Sequence, residues 1–76
     1  MKIDIEVNAD FSLDGRIRPN YIRWKDGRTF AIDRILDVRR AASLKAGGIG
    51  TRYTCRICGK TVHLFNDENR WFMEGN

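Results

Sequence analysis

The chain has 76 residues, of which 42% are hydrophobic and 32% charged, and a formal net charge of +4 at pH 7. This length predicts one small domain over residues 1–76, with a modest core and no second domain to form a deep cleft. No apolar run has the length of a signal peptide or a membrane span, so we expect a cytoplasmic protein without a membrane partner.

The first predicted strand is KIDIEV at residues 2–7, where apolar and polar residues alternate strictly. The segment NADFSLDG follows and consists largely of turn-forming residues. It predicts a loop in which Phe11 and Leu13 fold back onto the core.

The next segment, IRPNYIRWKDGRTFAIDRIL, predicts a hairpin. A two-residue turn at Asp26-Gly27 would leave Phe30 on the outside of the sheet. A three-residue loop over 25–27 instead pairs Ile22 with Phe30 and gives Gly27 the left-handed position that closes a bulged turn. Burial and turn chemistry therefore both favour the three-residue loop.

A cluster of basic residues and glycines occupies RRAASLKAGGIG at residues 39–50. Its first half, RRAASLK, predicts one or two helical turns ended by the glycines. Arg39 and Arg40, together with Lys45, form a candidate anion-binding loop in which backbone amides face a phosphate. The alternative is a solvated loop in which the glycines only reverse the chain.

The segment YTCRICGKTVHLF at residues 53–65 carries a C-x-x-C pair followed by a histidine. Thiolate and imidazole are ligands that zinc prefers, which makes Cys55, Cys58 and His63 a candidate metal site. A closed zinc site needs four ligands, and the chain contains only two cysteines and one histidine. The metal site is therefore the weaker alternative, and we expect no cofactor.

A β-hairpin explains the same segment better. A two-residue turn at Gly59-Lys60 pairs Cys55 with Leu64 and Arg56 with His63. Strand alternation then directs Cys55 and Cys58 to opposite faces, where they cannot hold one ion. The core face of this hairpin collects five side chains: Tyr53, Cys55, Ile57, Val62 and Leu64.

The opposite face of this hairpin interleaves basic and aromatic residues once RWFME is added through a four-residue turn at residues 66–69. That turn places Arg70 beside Phe65 and Phe72 beside His63. Aromatic rings flanked by arginine are typical of small β-barrels that stack bases and contact phosphates. The predicted nucleic-acid-binding residues are Arg56, His63, Phe65, Arg70 and Phe72, with Arg39 and Arg40. The alternative is that Phe65 and Phe72 are covered by the first strand or by the 39–50 loop.

Strands without long helices, separated by Gly, Asp and Asn, predict an all-β protein. The runs RPNYIRWKDGRTFAIDRILDVR, GGIGTRYTCRICGKTVHLF and RWFMEG also resemble a small bacterial family of uncharacterised function. The resemblance covers nearly the whole chain after Asp14 and rests on structural motifs. Five or six antiparallel strands in 76 residues favour a small barrel, which leaves little strand edge exposed. The resemblance implies that this barrel is SH3-like.

The sequence contains no set of residues typical of a catalytic site, so we expect a non-catalytic binding module. Nucleic acid is the predicted ligand, and a protein-interaction or structural module is the alternative, with a zinc-bearing adaptor less favoured. The oligomeric state stays open. The predicted core contains Ile3, Ile5, Ile22, Trp24, Phe30, Ile32, Tyr53, Cys55, Ile57, Val62, Leu64 and Trp71.

Overall fold

The structure, a computed structural model, describes residues 2–42 and 49–74. Over these ranges the protein is all-β, with two antiparallel sheets. One sheet has five strands in the order β1-β8-β7-β6-β5, and the other has three in the order β2-β3-β4. The strands are β1 (Lys2–Asp4), β2 (Glu6–Phe11), β3 (Ile17–Arg23), β4 (Thr29–Ala31), β5 (Arg34–Ala42), β6 (Ile49–Ile57), β7 (Lys60–Asp67) and β8 (Arg70–Glu74).

Eight strands are present in the described ranges where five or six were predicted, because two extended segments are each interrupted and shared between the sheets. The segment predicted at 2–7 breaks at Ile5, whose backbone N–H donates to the carbonyl of Trp71 at 3.1 Å. Strands β4 and β5 are likewise separated by two residues, and the N–H of Asp33 donates to the carbonyl of Arg56 at 2.8 Å. Each segment therefore begins in one sheet and ends in the other.

The predicted loop after residue 7 is wrong, because β2 continues to Phe11 and pairs with β3. The reversal is confined to the residues that follow, where the N–H of Ser12 donates to the carbonyl of Arg16 at 2.9 Å. Phe11 and Leu13 lie at this tip and are 67% and 110% exposed, so they do not pack on the core as predicted.

The β3–β4 hairpin confirms the predicted three-residue loop. Ile22 faces Phe30 across the two strands, and the N–H of Trp24 donates to the carbonyl of Arg28 at 2.8 Å. Gly27 has φ 90°, a left-handed conformation that costs glycine nothing.

The helical turns predicted for RRAASLK are wrong for its described part, residues 39–42, which belong to β5. The pairing of β5 with β6 continues to Ala42, opposite Ile49. Tertiary strand pairing overrides the helix propensity of alanine and arginine here. Residues 43–48, including the predicted Lys45, lie outside the described ranges.

The β6–β7 turn consists of Cys58 and Gly59, with φ 52° and 75°. Two positive φ values are those of a type I′ turn, whose twist suits a hairpin. The turn predicted at Gly59-Lys60 is therefore wrong by one residue, and Tyr53 faces Leu64. Each residue of β6 therefore faces a residue of β7 two positions earlier than predicted, as Cys55 faces Val62 rather than Leu64. A shift of two positions leaves every side chain on its predicted face.

The β7–β8 turn is also tighter than predicted. Glu68 and Asn69, with φ 50° and 67°, form a two-residue turn in place of the four-residue turn over 66–69. Asp67 consequently faces Arg70, and the predicted faces are again retained.

The core lies between the two sheets and confirms most of the predicted set. Its buried cluster contains Ile22, Tyr53, Cys55, Ile57, Leu64 and Trp71. Partly buried residues that pack against it are Ile5, Val7, Ala9, Ile17, Phe30, Ile32, Ile35, Val62 and Met73. Ile3, opposite Met73 in the β1–β8 pair, and Trp24 are half-buried and stand outside this cluster.

Candidate anion-binding face

The five-stranded sheet has one face on the core and one facing away from it, here called the outer face. Strand alternation and the observed register assign each side chain to a face, since cross-strand partners share a face. The outer-face positions on β5 and β6 are Arg34, Asp37, Arg39, Ala41, Gly50, Arg52, Thr54 and Arg56. On β7, β8 and β1 they are Thr61, His63, Phe65, Asp67, Arg70, Phe72, Glu74, Lys2 and Asp4.

The tighter turns change which of these residues are neighbours. Arg56 faces Thr61 rather than His63, and His63 faces Thr54. Its Nδ1 lies 3.1 Å from the hydroxyl of Thr54, within hydrogen-bond distance. Arg70 faces Asp67 rather than Phe65. The predicted neighbours are wrong, although the predicted face is right.

Phe65 and Phe72 face each other and are almost fully buried, at 1% and 0% exposed. Their rings stack with centroids 5.1 Å apart and planes 6° apart. The ammonium of Lys2 lies 4.5 Å from the centroid of the Phe72 ring, a cation–π contact supplied by the first strand. The rings do not offer their faces to a base, so the alternative in which Phe65 and Phe72 are covered is the correct one.

Two pairs of arginines face each other across β5 and β6 on the outer face. Arg34 is opposite Arg56, and Arg39 is opposite Arg52. Like charges directly opposite each other destabilise a sheet by roughly 0.2–1 kcal/mol per pair. These four residues are called the arginine cluster below.

The arginine cluster is only partly neutralised. Arg39 donates from Nε to the Asp37 carboxylate at 2.7 Å. This hydrogen bond lowers the pKa of Asp37, and the charges of Arg39 and Arg52 lower it further. Arg34 and Arg56 form no ion pair with any described residue. The Nη2 of Arg56 makes one long contact, 3.4 Å, to the carbonyl of Gly59.

Arg52 carries the clearest unmet hydrogen-bonding capacity of the outer face. Its Nε is buried and has no hydrogen-bond partner among the described residues. A buried donor without a partner costs about 1–3 kcal/mol.

Positive charge is uneven across the outer face. The positions on β5 and β6 hold four arginines and one carboxylate, that of Asp37. On β7, β8 and β1, Asp67 faces Arg70 and Lys2 faces Glu74, and Asp4 adds a third carboxylate, so acidic residues outnumber Lys and Arg in this part of the outer face. An anion is therefore attracted to the arginine cluster rather than to the whole face.

Arg39 and Arg40 were predicted to act together in one anion-binding loop, but they lie on opposite faces of β5. Adjacent residues of a strand point to opposite faces, and Arg40 pairs with Thr51 on the other side of the sheet. The remaining part of the predicted anion-binding loop, with Lys45, lies outside the described residues.

The residues of the alternative metal site are held apart. Cys55 is buried on the core face, Cys58 is exposed in the turn, and His63 is on the outer face. Burial raises the pKa of Cys55 to about 11, which opposes the thiolate that a metal binds. Residues 2–42 and 49–74 contain no group of three or more His, Cys, Asp or Glu residues arranged to hold a metal ion.

Sequence reasoning missed Arg34 and Arg52 as site residues. Alternation alone places Arg52 on the same face as Thr54 and Arg56, so one signal was available. The contribution of Arg34 depends on the pairing of β5 with β6 and on the irregularity between Ile35 and Asp37, which no local pattern indicates.

Comparison of the chain with protein-family models, curated proteins and solved structures found no match. Within the described ranges, no helix is long and apolar enough to cross a membrane.

Proposed function

We propose that the protein is a non-catalytic binding module that holds the phosphate backbone of a nucleic acid on its arginine cluster. The observation that carries the proposal is the pair of opposed arginines, Arg34 with Arg56 and Arg39 with Arg52. A sheet that accepts this repulsion gains an array of planar guanidinium groups, which bind phosphate oxygens in bidentate geometry.

The spacing of the cluster suits an extended polyanion. Arg52 and Arg56 lie four residues apart on β6, which corresponds to roughly 13 Å along a strand. The two pairs are therefore far enough apart to contact separate phosphates of one strand. Because Phe65 and Phe72 are buried, the contacts are to the backbone and not to stacked bases.

The proposed module is a small SH3-like barrel, as the sequence resemblance implies. In support, the β1–β2 and β4–β5 segments each pass from one sheet to the other, the arrangement by which bent strands join the sheets of a small barrel. Membership of the resembled bacterial family and a cytoplasmic location stay predictions.

A protein-interaction module is the second candidate, favoured by β5. This strand is at the edge of the five-stranded sheet, and its Leu36 and Val38 are 46% and 50% exposed. An exposed strand edge with apolar side chains can pair with an extended segment of another protein.

Fluorescence anisotropy with labelled single-stranded DNA and RNA, at low and moderate salt, tests the first candidate. We expect Arg34→Gln/Arg56→Gln to weaken binding roughly tenfold and to reduce the slope of log K against log salt by about two. The matched control is Arg18→Gln/Arg23→Gln, which removes the same charge from exposed positions of the three-stranded sheet.

A strand of abasic sites separates backbone contacts from base contacts. We expect it to bind nearly as tightly as the corresponding DNA, because the rings of Phe65 and Phe72 on the outer face are buried and cannot stack on a base. Absence of binding even at low salt, or equal losses in the two double variants, contradicts the proposed function.

A further inference from the structure

An apolar cavity of about 370 Å³ opens at one end of the core, between the β3–β4 loop and the β6–β7 turn. Its volume is within the range of small-molecule sites, roughly 300–1,000 Å³. The walls are aliphatic and aromatic side chains: Ile22, Trp24, Phe30, Ile57, Val62 and Met73.

Several of these walls remain in contact with water in the free protein. Trp24, Phe30, Val62 and Met73 are only half-buried, although Phe30, Val62 and Met73 pack against the main core. Apolar surface that a ligand removes from water stabilises the complex. An apolar body that fills the cavity therefore gains free energy without unfolding any element.

The rim of the cavity is cationic. Lys60 and Arg28 line it, together with the exposed thiol of Cys58. Arg28 is already engaged, since its Nε contacts the Asp26 carboxylate at 2.6 Å and its guanidinium lies 5.6 Å from the Phe30 ring centroid. Lys60 is exposed and forms no ion pair with any described residue.

The cavity is separate from the arginine cluster. Lys60 faces Ile57 and lies on the core side of the sheet, as Val62 does, whereas Arg34 and Arg56 lie on the outer face. Occupation of the cavity does not depend on the proposed nucleic-acid binding.

We propose that this cavity binds a small amphipathic carboxylate, with its apolar chain or ring against Trp24 and Phe30 and its carboxylate held by Lys60. The apolar walls select the body of the ligand. The free ammonium at the mouth selects an anionic head group over a neutral or cationic one. Such a ligand leaves no buried polar group unpaired.

Decanoate is the probe, and decanol and decyltrimethylammonium are the matched neutral and cationic probes of equal chain length. Binding is followed below the micelle concentration by changes in the NMR shifts of the Trp24 indole. We expect saturable 1:1 binding of decanoate, with the neutral probe bound about threefold to fivefold more weakly and the cation more weakly still.

Lys60→Gln should weaken decanoate binding by about the same factor and leave decanol binding unchanged. Lys25→Gln is the control, because it removes one lysine charge from the neighbouring loop without altering the cavity lining. Both positions are exposed, so both variants should retain the fold.

Alkylation of Cys58 by iodoacetamide is an independent readout. Cys58 is the exposed thiol at the rim, whereas Cys55 is fully buried and remains unmodified in the folded protein. Bound decanoate should slow Cys58 alkylation at least threefold. The proposal is overturned if decanoate does not saturate, if all three probes bind equally, or if alkylation of Cys58 is unchanged at saturation.

Discussion

Gly50 shows how a single position can be closed to any side chain. It is buried in β6, where a Cβ atom would lie 2.5 Å from the backbone oxygen of Asn66. A backbone carbonyl in a sheet cannot move aside as a flexible side chain does. Gly15 differs, because a Cβ there meets nothing within 4 Å and only the positive φ of 87° opposes it.

We expect Gly50→Ala to lower the free energy of unfolding by about 2–3 kcal/mol through overpacking. Gly15→Ala should cost only about 1 kcal/mol, the price of a left-handed backbone for alanine. Urea denaturation followed by circular dichroism measures both. Equal losses in the two variants would show that the contact with Asn66 relaxes easily.

At the scale of single elements, alternation predicted the faces of β6, β7 and β8 correctly. The β6–β7 and β7–β8 turns that join these strands were predicted wrongly. The reason is that a shift of two in the pairing leaves every side chain on its face, so burial does not distinguish the two registers. The turns are instead fixed by left-handed residues at Cys58 and Glu68, types with no strong preference for that conformation.

The sequence left undecided whether Phe65 and Phe72 are buried, for a related reason. Alternation places them on the outer face, but whether a face is covered depends on what packs over it from elsewhere in the chain. The contact of Lys2 with Phe72 joins opposite ends of the sequence, and no local pattern encodes it. Charge was easier to predict, since Arg56 and Arg70 are on the outer face as expected.

The β6–β7 turn offers a direct stability test. A type I′ turn favours Asn followed by Gly, and here Cys58 occupies the first position. We expect Cys58→Asn to raise the free energy of unfolding by about 0.5–1 kcal/mol, because asparagine adopts a left-handed backbone more readily. Urea denaturation of both proteins with their thiols kept reduced measures the gain in the free energy of unfolding.

The control for this variant is Thr61→Asn, which introduces the same residue at an exposed position of β7. Asparagine disfavours strands, so this change should be neutral or slightly destabilising. A gain at Thr61 equal to that at Cys58 would mean that turn geometry is not its cause.

At the scale of the whole molecule, one small core supports the domain, and two titratable groups lie inside it. Tyr53 and Cys55 are neighbours on the core face, and the ring centroids of Tyr53 and Trp71 are 5.3 Å apart. Burial raises the pKa of Tyr53 and raises that of Cys55 from 9.0 to about 11. The folded state therefore keeps the Cys55 proton at a pH where the unfolded chain has lost it.

Stability should consequently fall at alkaline pH. Below pH 9 both states hold the Cys55 proton, and between pH 9 and about 11 only the folded state does, so the free energy of unfolding decreases over that window. At about 1.4 kcal/mol per pH unit the loss from Cys55 is at most about 3 kcal/mol.

Urea denaturation at a series of pH values from 7 to 11 tests this. Cys55→Val should flatten much of the decline and leave the part that comes from Tyr53. Cys58→Ser, which alters the exposed cysteine, should decline as the unmodified protein does. If the free energy of unfolding of Cys55→Val falls with pH as much as that of the unmodified protein, groups other than Cys55 cause the loss of stability at alkaline pH.

The pairing of β1 with β8 brings residues 2–4 beside residues 72–74. Hairpins such as β6–β7 close short loops and are expected to form early, whereas this pairing must close the longest loop in the described chain and is expected to form late. Until β1 docks, the edge of β8 is open and Phe72 lacks its contact with Lys2. An open strand edge beside an uncovered aromatic ring is a site where partly folded chains pair with one another. Docking of β1 thus replaces the open edge of β8 with the edge of a three-residue strand, which offers another chain fewer backbone groups to pair with.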